Sequence, residues 1–386
     1  MAQMQQSQNP TPPRPPQQSA PPQAQQAASQ NQAPTELQDM LLRTLRSGAS
    51  DLHLVPGHPP MLRIHTRLVP IEGKEVLRPE HTVAMAKEML GEGPMAMLAK
   101  RRDLDFSTHV KDMGRFRVNA HFQRDMLAIA FRSIVAEVPR LSTLNLPPVV
   151  ERFTELPRGL VLVTGATGSG KSTTLASLIG EMNLRVDRHV ITLEDPIEYL
   201  ILSRACLIEQ REVGSDVTSF SSGLRHALRQ DPDVILVGEM RDLETTSAAI
   251  TAAETGHLVL STLHTQGASQ TLARIIDIYP AEQQNQIRSM LANTLQAVVT
   301  QTLFRRQDGR GMIPGCEVMV CNSAVRNCIR ENRIHEIPNI IETSRSEGMI
   351  RLDESIKGLV LNNLIDRNEG LSRAQNPVSL ARALGR

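Results

Sequence analysis

Apolar positions follow two different rules along this chain. Between 159 and 262 they come as short near-continuous runs, at 160–163, 190–193, 234–237 and 258–262, with only the hydroxyl residues Thr192, Ser261 and Thr262 among them. Runs of that kind predict strands buried on both faces of a parallel sheet, and the polar stretches between them suit covering helices. Upstream, apolar residues alternate with polar ones in short segments at 51–55, 61–65, 67–71, 104–107, 115–123 and 126–134, which predict half-buried strands. Helical spacing appears at Leu37, Met40, Leu41 and Leu45, behind a capping-box pattern that starts at Thr35, and again over 79–98 with Val83, Ala86, Met89 and Leu90 on one face. Residues 35–137 therefore read as a small α+β domain. Four prolines between 138 and 158 mark a linker, and 159–370 reads as an α/β domain. After Pro280 that domain turns helical: one helix over 284–304, carrying Ile287, Met290, Leu291, Leu295, Val298 and Val299, then helices at 323–330, 334–344 and 352–366. Residues 371–386 read as a flexible tail. At the other end, 1–34 is Gln, Pro, Ala and Ser with almost no aliphatic bulk, a disordered tether or a Pro-rich ligand.

Composition narrows the function classes. The chain has 386 residues and a formal net charge of +1, with no Trp, 2 Tyr and 7 Phe. A near-neutral chain poor in aromatics gives no support to nucleic-acid binding, which uses basic fields and stacking platforms. The four cysteines follow no metal-ligand spacing and suggest free thiols in a reducing compartment. No apolar run is long enough to span a membrane.

The chemistry concentrates after the first buried run. Gly165-Ala166-Thr167-Gly168-Ser169-Gly170-Lys171-Ser172-Thr173 fits the phosphate-loop pattern between a strand and a helix. The glycines let backbone N–H groups curl toward phosphate oxygens, Lys171 reaches the β- and γ-phosphates, and Ser172 ligates Mg²⁺. Glu194 and Asp195 follow the second run; carboxylates beside a triphosphate make sense with Mg²⁺ between them, so Ser172, Glu194 and Asp195 form the candidate metal set. The third run delivers Glu239, placed to orient a water for attack on the γ-phosphate. Gly238 stands where many P-loop enzymes carry a metal-holding Asp. His257 and His264 bracket the fourth run; His264 at its carboxyl end is placed to sense the γ-phosphate, and His257 reads either as a second functional histidine or as a structural one. In the first domain, 115–122 sends Phe116, Val118, Ala120 and Phe122 to one face and Arg115, Arg117, Asn119 and His121 to the other. That second face is either solvated or a cationic surface, and Arg117, Arg124 and Arg132 are candidate arginines acting on a nucleotide across a subunit boundary.

Taken in order, 165–172, 194–198, 238–242 and 256–265 resemble the Walker A, Asp box, Walker B and His box of the type II/IV secretion ATPases, and Ala49 to Leu54 resembles the start of their PAS-like domain. The resemblance covers about 37–365. It implies a RecA-like P-loop ATPase domain preceded by a PAS-like domain, a homo-hexamer using ATP and Mg²⁺, and catalytic roles for Glu239, Lys171, His264 and Glu194. It further implies docking on an inner-membrane platform protein at the cytoplasmic face. Residues 324–331 resemble the branch that retracts type IV pili; assembly or secretion ATPase is the alternative, and nucleic-acid translocase a more distant one.

Overall fold

The computed structural model describes residues 35–64, 67–110, 114–134 and 138–385. The expected tail at 1–34, His65 at the end of its expected strand, and the boundary at 135–137 lie outside the described residues.

The N-terminal domain runs α1 (Glu36–Arg46), β1 (Asp51–Leu54), β2 (Met61–Ile64), β3 (Arg67–Pro70), α2 (Pro79–Leu90), α3 (Glu92–Arg101), β4 (Asp103–Val110), β5 (Gly114–Gln123) and β6 (Met126–Ser133). Its described strands form one antiparallel sheet in the order β3-β2-β1-β6-β5-β4. The helix expected over 79–98 breaks in two at Gly91, whose φ of 66° lies in a region costly for residues with a Cβ. Period-two alternation decides the faces. Leu52, Leu54, Phe116, Val118 and Phe131 are buried against Met40, Leu41, Met85 and Leu98 of the helices, which leaves Asp51, Arg117, Asn119 and Arg132 on the opposite face.

The second domain comprises β7 (Gly159–Thr164), α4 (Lys171–Arg185), β8 (His189–Glu194), β9 (Leu207–Glu212), α5 (Phe220–Ala227), β10 (Val234–Val237), α6 (Leu243–Glu254), β11 (Leu258–Leu263), α7 (Ala268–Asp277), α8 (Gln284–Thr294), β12 (Leu295–Arg305) and β13 (Met312–Val320). It ends in α9 (Ser323–Arg330), α10 (Ile337–Thr343), α11 (Leu352–Leu361), α12 (Arg367–Ser372) and α13 (Pro377–Ala383). The sheet order is β13-β12-β7-β11-β10-β8-β9, parallel except for β13. Alternate residues of β7 explain its unbroken apolar run. Leu160 and Leu162 enter the core on one face and Val161 and Val163 the core on the other, each burial contributing about 1.5–3 kcal/mol.

Four sequence expectations change. The single helix over 284–304 is a helix only to Thr294; Leu295, Ala297, Val298 and Val299 are then buried on both faces of a strand between β7 and β13, a pattern that also satisfies helical spacing. Strands β9 and β13 were not expected; β9 lies at a sheet edge with polar positions, and Pro314 and Gly315 obscure the strand pattern of β13 in the sequence although the strand runs through them. The stretch at 138–158 is no free span, since Val149, Val150 and Phe153 are buried against α4. Within 371–385, read as a flexible tail, α13 buries Leu380 against Phe304 and Ile356. Cys206, Cys316, Cys321 and Cys328 are free and buried.

Candidate functional site

The loop from Gly165 to Gly170 leaves the carboxyl end of β7 and opens α4, so its backbone N–H groups and the positive helix end face one cleft. Gly165 has φ of 137°, and a Cβ there would lie 2.3 Å from the Gln301 carbonyl oxygen on β12. The loop can therefore pass so close to the sheet only as glycine. Lys171 is buried, and its Nζ donates to the carbonyls of Gly165 (2.9 Å) and Ala166 (3.0 Å), which holds the ammonium over the loop. Burial lowers the Lys171 pKa, with the charge of Glu239 opposing the shift. Ser172 and Thr173 begin α4 beside the cleft, and Thr173 Oγ1 lies 2.9 Å from the Tyr199 hydroxyl.

Three parallel strands aim their carboxyl ends at the same space, which encloses about 580 Å³. From β10 and the turn after it comes Glu239, whose Oε2 lies 2.6 Å from Arg241 Nε and 3.2 Å from His264 Nε2. Its neighbour Gly238 is closely packed: a Cβ there would lie 3.1 Å from the Leu193 carbonyl and the Phe220 ring, so a side chain would require those neighbours to give by a few tenths of an ångström. From β8 comes Glu194, which accepts hydrogen bonds from Thr192 Oγ1 (2.6 Å) and Gln210 Nε2 (3.0 Å); Asp195 follows, exposed. Burial pushes the Glu194 carboxyl above the ordinary carboxylate range, the nearby Glu198 charge adds to this, and the hydrogen bonds oppose it.

A raised carboxylate pKa makes ionised Glu194 a cost to the folded state. Its favourable contribution is full below the unfolded-state value and is lost as pH rises through the folded value. Glu194→Gln keeps an acceptor for Thr192 and Gln210 without the charge. We expect the variant to unfold at a higher temperature than the native chain at neutral pH, with the difference closing as pH falls toward about 4. Thermal unfolding across pH checks this; a variant less stable at every pH contradicts it.

The structure brings Arg117 and Arg132 into this cleft from the N-terminal domain of the same chain. They face each other in register across β5 and β6, and Asp51 Oδ1 holds Arg132 Nε at 2.9 Å. Arg124 is not with them: it sits exposed in the β5–β6 turn with φ of 48°. His257 lies at the amino end of β11, where its Nδ1 is 2.9 Å from the Ala252 carbonyl at the end of α6, outside the cleft. The side chains that sequence reasoning passed over are Tyr199, Gln210 and Arg241. Tyr199 and Arg241 lie within five residues of Glu194 and Glu239, a proximity that offers a weak signal, whereas Gln210 arrives on the unexpected strand β9.

A glycine-rich loop between strand and helix, a carboxylate beyond a third parallel strand, and a pocket at the carboxyl ends of the sheet define a P-loop nucleotide-binding protein of the RecA-like kind. The chain belongs to the type II/IV secretion system protein family, whose model matches residues 26–359. It is 44% identical over 347 residues to the type IV pilus retractation ATPase PilT of Pseudomonas aeruginosa, covering 89% of this chain and 99% of that protein. A twitching motility protein of Neisseria gonorrhoeae is 43% identical over 322 residues, covering 83% and 86% of the two chains. The crystal structure of the pilus retraction motor PilT with bound ADP superimposes with a TM-score of 0.84 at 40% identity, covering 89% of this chain and 98% of that one.

Proposed function

We propose that this chain hydrolyses ATP as a homo-hexameric motor that retracts type IV pili, docked on an inner-membrane platform protein at the cytoplasmic face. The observation that carries this reading is the 44% identity to a pilus retractation ATPase across 99% of that protein. The cleft supports the chemistry. Lys171 and the loop amides hold the phosphates, Glu239 orients the attacking water, and His264, whose Nε2 lies 3.2 Å from Glu239 Oε2, sets its carboxylate. Mg²⁺ would be held by the Ser172 hydroxyl with Glu194 and Asp195, and when bound it neutralises developing phosphate charge. The donor set fits that ion in its chemistry: hard oxygens only, from one hydroxyl and two carboxyl groups. Deleting the gene distinguishes the readings. Hyperpiliated cells that cannot twitch support retraction, whereas bald cells support assembly and normal pili with a secretion defect support a secretion machine.

Arg117 and Arg132 stand in their own chain's cleft, and this favours arginines that act in cis over the cross-boundary role considered from sequence. Arginine charge on the transition state is worth about 10³–10⁵ in rate in P-loop enzymes. We expect Arg117→Ala and Glu239→Gln subunits, each inactive alone, to remain inactive when co-assembled, because no subunit then holds both groups. Recovered phosphate release in the mixed ring would return the arginine to a trans role.

A further inference from the structure

The end of β9 carries a buried carboxylate that no step of the proposed hydrolysis uses. Glu212 is 4% exposed and collects donors from two domains. Ser107 Oγ on β4 donates to Oε1 at 2.7 Å, and Arg115 Nη2 on β5 donates to Oε2 at 3.0 Å. The third donor is the backbone N–H of Ile197, also to Oε2 at 3.1 Å. Ile197 belongs to the loop that begins with Glu194 and Asp195, and Glu194 pairs with Glu212 in the β8–β9 register. One carboxylate therefore touches the N-terminal sheet and the proposed metal-binding loop together.

Arg115 and Arg117 lie on the same face of β5, two residues apart, or roughly 7 Å along a strand. A strand hydrogen-bonded on both sides, to β4 and β6, is stiff at that range, so fixing Arg115 fixes where Arg117 and its partner Arg132 enter the cleft. The geometry points to Glu212 as a positioning residue: it latches the N-terminal sheet over the phosphate loop and reports that closure to the 194–198 loop through the Ile197 amide. The inference rests on the proposed hydrolysis for its kinetic consequence, and on geometry alone for its mechanical one. It assigns Ser107, Arg115 and Glu212 a role that none of the nucleotide-binding motifs contains. Among the described residues a charge-assisted bond from Arg115 and a hydroxyl bond from Ser107 make this grip, so small changes on the N-terminal side should be felt on the other.

Two variants on the N-terminal side, Arg115→Gln and Ser107→Ala, and one at the latch, Glu212→Gln, test the idea in the full chain. Each leaves the phosphate loop intact. Affinity for ADP and KM for ATP should stay within about two-fold, while kcat falls by about 10- to 100-fold for Arg115→Gln and Glu212→Gln, because Arg117 and Arg132 are no longer held in place. Combining those two should lower kcat no further than either alone. Hydrogen exchange supplies the second readout. In Arg115→Gln, altered only in the N-terminal domain, the Ile197 amide should exchange at least about ten times faster than in the native chain. A lowered melting temperature with unchanged kcat, or Ile197 exchange that ignores Arg115→Gln, would overturn the latch and leave an ordinary interdomain ion pair. If Glu212→Gln does not fold, the two N-terminal variants still decide. If the native chain does not hydrolyse ATP, the proposed function falls, and Ile197 exchange alone judges the latch.

Discussion

Glu239→Gln should bind ATP within a few-fold of the native affinity and hydrolyse it about 10²–10⁴ times more slowly. The side chain is mostly buried and keeps its place through Arg241 and His264, both of which can bond to an amide as well as to a carboxylate. What the amide lacks is the basicity that orients and polarises a water for in-line attack. The Lys171 ammonium is anchored on the Gly165 and Ala166 carbonyls rather than on Glu239, so the binding expected of the loop is largely spared. Equilibrium binding of a fluorescent nucleotide beside steady-state phosphate release separates the two quantities. Native-like turnover in the variant would remove Glu239 from the mechanism.

Lys171→Ala should lose turnover entirely and bind nucleotide about 10- to 100-fold more weakly. Removing one charge-assisted hydrogen bond to phosphate accounts for about 1.5–3 kcal/mol of that affinity. The variant also deprives the Gly165 and Ala166 carbonyls of their shared donor, which loosens the loop itself. Arg117 and Arg132 line the same cleft but come from the other domain, and they cannot take the place of a cation anchored on α4. Affinities for ADP and for a non-hydrolysable ATP analogue, measured on the same preparation, test the point: the loss should be larger for the triphosphate. A variant that still turns over ATP would contradict the phosphate-loop assignment.

Legibility followed physics. The strands β7, β8, β10 and β11 announced themselves because strands buried on two faces are mostly apolar, with only hydroxyl residues such as Thr192 and Ser261 among them, and the loops at their ends carried the chemistry. Strand β12 hid because Ile287 to Val299 satisfies helical and two-faced strand burial alike; only its pairing with β7 and β13 selects the strand from Leu295 onward. The alternation of β5 revealed which face Arg117 occupies, but not what that face meets. Its meeting with the phosphate loop depends on Glu212, a residue that β9 delivers from a sheet edge with no motif of its own. Contacts between elements distant in sequence leave no periodic mark on either partner, so Asp51 with Arg132 and Gln210 with Glu194 were equally invisible.

The buried cysteines have a practical meaning. Burial pushes the Cys316 thiol up to about 12 and Cys321 up to about 11, and raises Cys206 and Cys328 as well. Only the thiolate attacks a maleimide, and at pH 7 a thiol of pKa 11 is ionised to on the order of one part in 10⁴. All four native thiols are buried as well, so labelling of the folded chain by such dyes should be slow. A single cysteine introduced on the surface would carry a fluorophore without removing any native one, and the low background would let individual molecules be watched as they turn over.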